Sequence, residues 1–302
     1  MEKVLGENKW KWIQLNKCEI ERGAMEGLQS EWLERVRKNK SNCLRVEVLE
    51  NGEKAMHASL IYQQSFKEEQ DNKIFHFYLT NEKWVTVDLE WSTFPLKEMD
   101  KSETAVDGFL LFLGELLNEM LGEVDQFEES LKTLIWSVRK RNETRILELL
   151  YRQRHELLVW KNLLIPIKEL IMAIEEVNLH KGGNEEIYFC SSKRMERAFA
   201  LLNEYEHELD SMINLEEVIS SHRGNEIMKT LTVITTIFTP IMAFGALWGM
   251  NFKHMPELGW KYGYLFSIII TIVSTLLLYG YLKIKGWTGD LLKGKRKGSF
   301  FK

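Results

Sequence analysis

Residues 230–252 read TLTVITTIFTPIMAFGALWGMNF and residues 262–282 read YGYLFSIIITIVSTLLLYGYL, and neither run contains an Asp, Glu, Lys or Arg. Each is long enough to supply the roughly 20 apolar residues that a helix needs to cross a bilayer. Between and across their edges lies Gly249-Met250-Asn251-Phe252-Lys253-His254-Met255-Pro256-Glu257-Leu258, a short connection rich in turn-forming residues. Two such runs in tandem read as the spans of an integral membrane protein.

The rest of the chain has a different character. Over all 302 residues the charged fraction is 28% and the mean hydropathy is -0.25, values of a water-soluble protein. The membrane part is therefore a minority, and about 225 residues remain to build one or two soluble domains with a sizeable core. The start, Met1-Glu2-Lys3-Val4-Leu5-Gly6-Glu7, carries acids and lacks the continuous apolar core of a secretory signal. Cys18, Cys43 and Cys190 are far apart and form no CxxC pair, so neither a zinc cluster nor a disulfide framework is expected.

Orientation follows from the positive charges, which stay on the cytoplasmic side of short flanking segments. Beyond residue 282 stand Lys283, Lys285, Lys293, Lys295, Arg296, Lys297 and Lys302 against the single acid Asp290. This places the C-terminal end in the cytoplasm, and two spans return the chain to the side it left. Both termini are thus expected to be cytoplasmic, with only residues near 250 to 262 outside.

Alternation of apolar and polar residues predicts strands at Lys9–Leu15, Leu44–Val48 and Ile74–Leu79, with Trp84–Leu89 as the return strand of a hairpin. Residues 23 to 38 read as a helix, which makes the first hundred residues a small α/β domain. From Asp107 the period becomes helical. Phe109, Leu113, Leu117, Met120, Val124, Phe127, Leu131, Leu134 and Val138 form nearly a heptad seam. A second helix runs through Ile146, Leu150, Leu157 and Leu163, with Pro166 expected to kink or break it. A third is expected to begin at Ser191 or Ser192 as N-cap and to continue to about 247, roughly 80 Å at 1.5 Å per residue. Gly224 is its one soft spot, costing about 1 kcal/mol relative to Ala.

The expected class is α+β. A cytoplasmic α/β domain (1–105) is followed by a helical array (106–190) and a stalk helix (191–248) whose part from about 229 is the first span. The connecting loop (249–261), the second span (262–282) and a basic tail (283–302) complete the chain. No phosphate-binding loop, nucleophile with a base, or catalytic metal set is present, which argues against an enzyme. The seven His residues show no ligand spacing.

The ordered set Asn225-Glu226-Ile227-Met228-Lys229, Thr235 to Pro240, Gly249-Met250-Asn251-Phe252, Met255-Pro256-Glu257-Leu258 and Trp260 to Tyr264 resembles the CorA family of divalent-cation channels. The resemblance implies a homopentamer in the cell membrane that takes up Mg2+ passively, with Co2+ and Ni2+ as passengers and no resident cofactor. Gly249, Met250 and Asn251 would form the selectivity filter at the outer mouth. Mg2+ dehydrates reluctantly, so a ring of neutral Asn251 carboxamides suits recognition of the hydrated ion, an outer-sphere metal site. By position, Asn225, Met228, Thr232, Thr236 and Thr239 would line the pore, with Asn225 and Met228 forming the cytoplasmic constriction. A Met ring can gate by dewetting.

Each of these residues also has a plainer reading. Gly249 and Asn251 are common helix terminators, the threonines can bond their own backbone, and Pro240 is a kink site. Trp248 stands where the family most often has Tyr. In the loop, Lys253 and Lys261 offset Glu257, which alone can attract cations there. Family members also close through ions bound by acidic residues between cytoplasmic subunits, yet Tyr188-Phe189-Cys190-Ser191 lacks the expected Asp, so the regulatory metal site is left unassigned. The acids Glu115, Glu119, Glu123, Asp125, Glu128 and Glu129, and Glu204, Glu206, Glu208 and Asp210, read first as solvated helix faces, with intersubunit cation binding by a minority left open. Transport of Zn2+ or another transition metal on the same fold, and a membrane-anchored helical sensor or scaffold, are the alternatives.

Overall fold

The computed structural model describes residues 2–7, 9–18, 30–50, 52–64, 72–91, 93–140, 144–251 and 255–287. The chain divides into two compact units, Met1–Met212 and Ile213–Lys302.

The first unit carries six strands, β1 (Glu2–Leu5), β2 (Trp10–Leu15), β3 (Cys43–Val48), β4 (Lys54–Gln64), β5 (Asn72–Leu79) and β6 (Lys83–Val87), in the spatial order β1-β2-β6-β5-β4-β3. Neighbours are antiparallel except β2 and β6, which run parallel. Of the strands anticipated from alternation, β2 and β3 appear within a residue of their expected bounds, and β5 begins two residues before the expected Ile74. The fourth stops at Val87 rather than Leu89, because Asp88 adopts a left-handed φ of 57° that no strand can accommodate. Strands β1 and β4 are additions; β4 is buried along most of its length and so lacks the polar alternation of a half-exposed strand.

Period-two alternation divides the sheet residues between two faces. On one face Leu15, Ala55, Tyr78, Val85 and Val87 pack against Trp32 and Val36 of α1 (Ser30–Lys38). The helix expected from residue 23 is thus present from Ser30, and residues 23–29 lie outside the described residues. The other face meets the start of α3 (Ala105–Lys140), which follows the single turn α2 (Leu96–Met99). Phe109 of α3 sits 4.7 Å from the Phe77 ring, and Phe112 packs edge-on to Phe75 at 5.8 Å. Each aromatic buried there contributes about 1.5–3 kcal/mol. Trp10 fits flat against α3 because Gly108 lacks a Cβ, which would stand 2.5 Å from the indole; the indole N–H donates to Ser102 Oγ at 3.1 Å.

The anticipated seam of α3 is buried from Phe109 to Leu134; the Val138 side chain lies outside the described residues. Helix α4 (Thr144–Glu176) continues through Pro166, so the expected break does not occur. Proline deprives the Asn162 carbonyl of its donor, but Asn162 is exposed and water can take that bond. Leu163, Leu164, Ile167 and Leu170, all buried, hold the helix on either side.

The largest correction concerns α5 (Glu185–Trp248), a single helix of 64 residues. It begins six residues before Ser191. Asn184 caps it by accepting the Glu186 N–H at 2.9 Å, while Ser191 is inside the helix and donates to the Leu110 carbonyl at 3.2 Å. The helix runs unbroken past Gly224 and Pro240.

In the second unit, the remainder of α5 leads to the turn α6 (Pro256–Gly259) and to α7 (Gly263–Ile284). Helices α5 and α7 each contain a stretch long and apolar enough to cross a membrane. Helix α7 ends on Gly286 at φ 76°, with the Trp287 N–H reaching back to the Leu282 carbonyl at 3.1 Å, the hydrogen bond of a glycine-terminated helix.

Candidate ion path

All five residues expected on the pore face lie on α5, at intervals of 3, 4, 4 and 3 that keep them on one side of the helix. Asn225, Met228 and Thr239 are exposed, Met228 to 61%, and Thr232 and Thr236 are half-buried. Met228 is one of several exposed apolar residues on this part of α5, with Ile227, Leu231, Ile234 and Phe238, as the composition of a membrane-crossing stretch requires.

The threonine hydroxyls have a consistent geometry. Thr232 Oγ1 donates to the Met228 carbonyl at 2.8 Å, Thr236 to the Thr232 carbonyl at 2.7 Å and Thr239 to the Thr235 carbonyl at 2.7 Å. Thr230 and Thr235 do the same with Glu226 and Leu231. The plainer reading of these residues, backbone bonding in an apolar helix, therefore holds as geometry. It also has a chemical consequence: a hydroxyl whose proton is committed to the preceding turn presents only lone pairs to whatever faces it. The stripe at 232, 236 and 239 is an acceptor surface, suited to the water protons of a hydrated cation and unsuited to anions.

The helix ends where the filter is expected. Gly249 N–H still bonds the Gly245 carbonyl at 3.0 Å and Met250 N–H reaches the Leu247 carbonyl at 3.4 Å, after which the chain leaves the helix. A Cβ on Gly249 would lie 2.9 Å from the Gly245 carbonyl oxygen, so this turn demands glycine for space. Met250 and Asn251 are exposed beyond it. Phe252, Lys253 and His254 lie outside the described residues, as does the side chain of Glu257, whose backbone belongs to α6. Trp248 stacks on Phe244 at 5.3 Å, and Trp260 packs against Tyr262 and Phe266 at the start of α7. Such a concentration of aromatics at the ends of two apolar helices is characteristic of a membrane–water interface.

In the first unit a set of polar ties that the sequence reading did not single out fixes the beginning of α5. Asp107, at the third position of α3, exchanges hydrogen bonds with Thr104, and its Oδ1 accepts the Asn184 N–H at 3.0 Å. Arg194 donates to the Gly114 carbonyl at 2.7 Å, and Tyr205 to Glu128 at 2.7 Å. The near-constant sequence offset of these pairs shows that α3 and α5 run parallel. Helix α4 lies antiparallel to α5, through Lys161 with Glu206 at 2.6 Å and Arg154 with Asp210 at 3.2 Å. The signal in the sequence is Thr104 followed three residues later by the acid Asp107, the spacing of a capping box.

Several of the acids expected on solvated faces have these partners. Glu128 pairs with Lys132 as well as Tyr205, which lowers its pKa, and burial together with this contact raises that of the tyrosine. Burial raises Glu123, and the nearby Glu119 and Glu156 add to the effect. Among the described residues no three His, Cys, Asp or Glu side chains gather as a metal site. Tyr188 stacks on His180 at 4.5 Å, and burial with a hydrogen bond to Glu175 pushes its pKa up to about 12, while Phe189 beside it is exposed.

Comparison with known proteins covers most of the chain. The family described as CorA-like Mg2+ transporter protein matches residues 31–284. The magnesium transport protein CorA of Bacillus subtilis is 44% identical over 263 residues, 85% of this chain and 83% of the relative. A cobalt/magnesium transport protein CorA from Thermotoga maritima is 43% identical over 67 residues, 22% of this chain and 19% of that protein. Among solved structures, the CorA magnesium transporter of Methanocaldococcus jannaschii superimposes with a TM-score of 0.62 over 92% of both chains at 17% identity, a likeness of fold.

Proposed function

From the premise that this chain belongs to the CorA-like Mg2+ transporter family, we propose that it forms a homopentameric, gated channel for passive Mg2+ uptake across the cell membrane. Divalent-cation transport is the activity of the family; the channel mechanism, the pentamer and the filter are the reading offered here. The observation that carries it is the single face of α5 on which Asn225, Met228, Thr232, Thr236 and Thr239 stand, leading to a helix end that only glycine permits and to an exposed Asn251.

One Asn251 cannot surround an ion. Five copies about an axis place five carboxamide oxygens around it, enough to accept from the inner-shell waters of Mg2+ without stripping them. Next along the face, the back-bonded threonines offer acceptors to the same hydrated ion. Met228 and Asn225 close the path at its other end, where an apolar ring excludes water unless it widens. Glu257 stands in the outer loop as the local attraction for cations. The same reading accommodates Co2+ and Ni2+, which keep comparable octahedral water shells, and assigns no catalytic chemistry. Both termini are cytoplasmic, so that an inside-negative potential drives entry with about 2.3 kcal/mol per charge per 100 mV, twice that for a divalent ion.

The test is ion flux into liposomes holding the purified protein under an inside-negative potential. Mg2+ entry that collapses when the potential is dissipated supports the proposal. Entry of Zn2+ but not Mg2+ would move the assignment to a transition metal, and no flux of any divalent ion from folded protein would leave a membrane-anchored scaffold.

A further inference from the structure

We infer that a cleft between the last turn of α1 and the edge strand β3 binds a compact, water-soluble, phosphate-bearing molecule, a role separate from ion passage. The cleft has a volume of about 570 Å3 and is lined by Glu34, Arg35, Lys38, Asn39, Cys43 and Arg45. That volume lies within the roughly 300–1,000 Å3 of small-molecule sites. Its walls are held in place from beneath. Trp32 and Val36 seat α1 on the sheet, and Asn39, just past the helix, donates an Nδ2–H to Ser59 Oγ of β4 at 3.2 Å. Ser59 in turn shares a 2.7 Å hydrogen bond with Nδ1 of the buried His76, and it stands in register with Cys43 of β3. Arg45 follows Cys43 by two residues and so lies on the same side of the sheet, where it shares the cleft with Arg35 and Lys38.

Three cations thus converge from two elements on one cleft whose single acid, Glu34, is already paired with Lys38 at 2.6 Å. Arg35 and Lys38 stand in the last turn of α1, where cations complement the helix dipole, but that leaves Arg45 unexplained. The one acid of β3, Glu47, is engaged by His57 at 2.8 Å. Cations gathered in a concave site repel one another and focus a positive potential that an anion relieves. Guanidinium groups favour phosphate, whose oxygens they meet in bidentate pairs, and an ammonium supplies a further charge-assisted bond. The lining also narrows the ligand. With no aromatic ring and no large apolar side chain, it gives a nucleobase nothing to stack on and an acyl chain nothing to pack against.

The test is equilibrium dialysis of the full-length, detergent-purified protein against radiolabelled inorganic pyrophosphate in magnesium-free buffer. Wild type is expected to bind about one pyrophosphate per chain, saturably, with half-occupancy at about 1 mM or below, as a few charge-assisted hydrogen bonds supply. Arg45→Gln and Lys38→Gln should each raise the half-occupancy concentration by about tenfold. Arg37→Gln removes a cation from the same helix but outside the cleft, and should change it by less than about twofold. Melting temperatures of the variants without pyrophosphate, compared with wild type, separate lost binding from lost fold. Absence of saturable binding by wild type overturns the inference and needs no variant. So does wild-type affinity in Arg45→Gln, or equal weakening by all three substitutions, the mark of diffuse surface charge. Glycerol 3-phosphate is expected to displace the probe; displacement by micellar phosphatidic acid alone would give the cleft to a lipid headgroup and overturn the soluble ligand.

Discussion

The Asp107 carboxylate accepts the Asn184 backbone N–H at 3.0 Å and thereby joins the first turn of α3 to the cap of α5. Its other oxygen takes the Thr104 N–H, so one buried carboxylate serves the amino ends of two helices, where a negative charge is also favoured by their dipoles. Gly183 is packed so closely that a Cβ there would stand 2.3 Å from Asp107 Oδ1. Removing this group by Asp107→Ala leaves buried N–H donors unpaired, at a cost of about 1–3 kcal/mol each. We expect a lower melting temperature of the detergent-purified protein, and an unchanged melting temperature would show that the tie contributes nothing.

The same residue gives a pH signature. Burial raises the Asp107 pKa above 3.8, with the hydrogen bonds from Asn184 and Thr104 opposing the shift. The folded carboxyl therefore keeps its proton to higher pH than the unfolded one. Stability from this group is fully present at acidic pH and is lost as pH rises through the window above 3.8, up to the raised value. Asp107→Asn cannot ionise. The stability of wild type relative to Asp107→Asn should thus decline as pH rises through that window, by melts measured side by side; a relative stability that grows with pH contradicts the assignment.

Gly249 is required for space. With a Cβ only 2.9 Å from the Gly245 carbonyl, Gly249→Ala must displace the turn that presents Met250 and Asn251. Mg2+ flux in liposomes should drop by about tenfold or more, as expected when a filter loses its geometry, while the variant still inserts and purifies as the same oligomer. Flux equal to wild type would show that the turn does not set the filter.

The acceptor stripe predicts a difference between two near-isosteric changes. Thr236→Val deletes the hydroxyl that bonds the Thr232 carbonyl, whereas Thr236→Ser keeps it. Conductance should fall by several-fold in the first, in line with loss of a hydrogen-bonding group worth about 1 kcal/mol, and stay near wild type in the second. Equal conductance in both would assign the threonine to packing alone.

Much of this was legible in the sequence, for identifiable reasons. Charge-free runs at 230–252 and 262–282 have few other uses, and the seam from Phe109 to Leu134 keeps a single period for seven turns. The start of α5 was not legible, because its cap stands beside Gly182 and Gly183, which signal an ending, and because the decisive partner, Asp107, is 77 residues upstream. Pro166 misled in the other direction: its local preference for a break yields to the buried residues on both sides. That Asn225, Met228, Thr232, Thr236 and Thr239 share one side of α5 followed from their spacing, whereas the direction of the threonine protons did not, since a hydroxyl can turn toward either its own helix or a ligand. The close approach of Gly249 to Gly245 likewise depends on how the helix ends.

The central claim is that Asn251 forms the filter. The most direct measurement is Mg2+ flux into liposomes under an inside-negative potential, wild type and Asn251→Ala side by side, each checked for the same oligomer by size-exclusion chromatography. The account predicts robust flux in wild type and loss of selective Mg2+ entry in the variant; undiminished, selective Mg2+ flux through Asn251→Ala would contradict it.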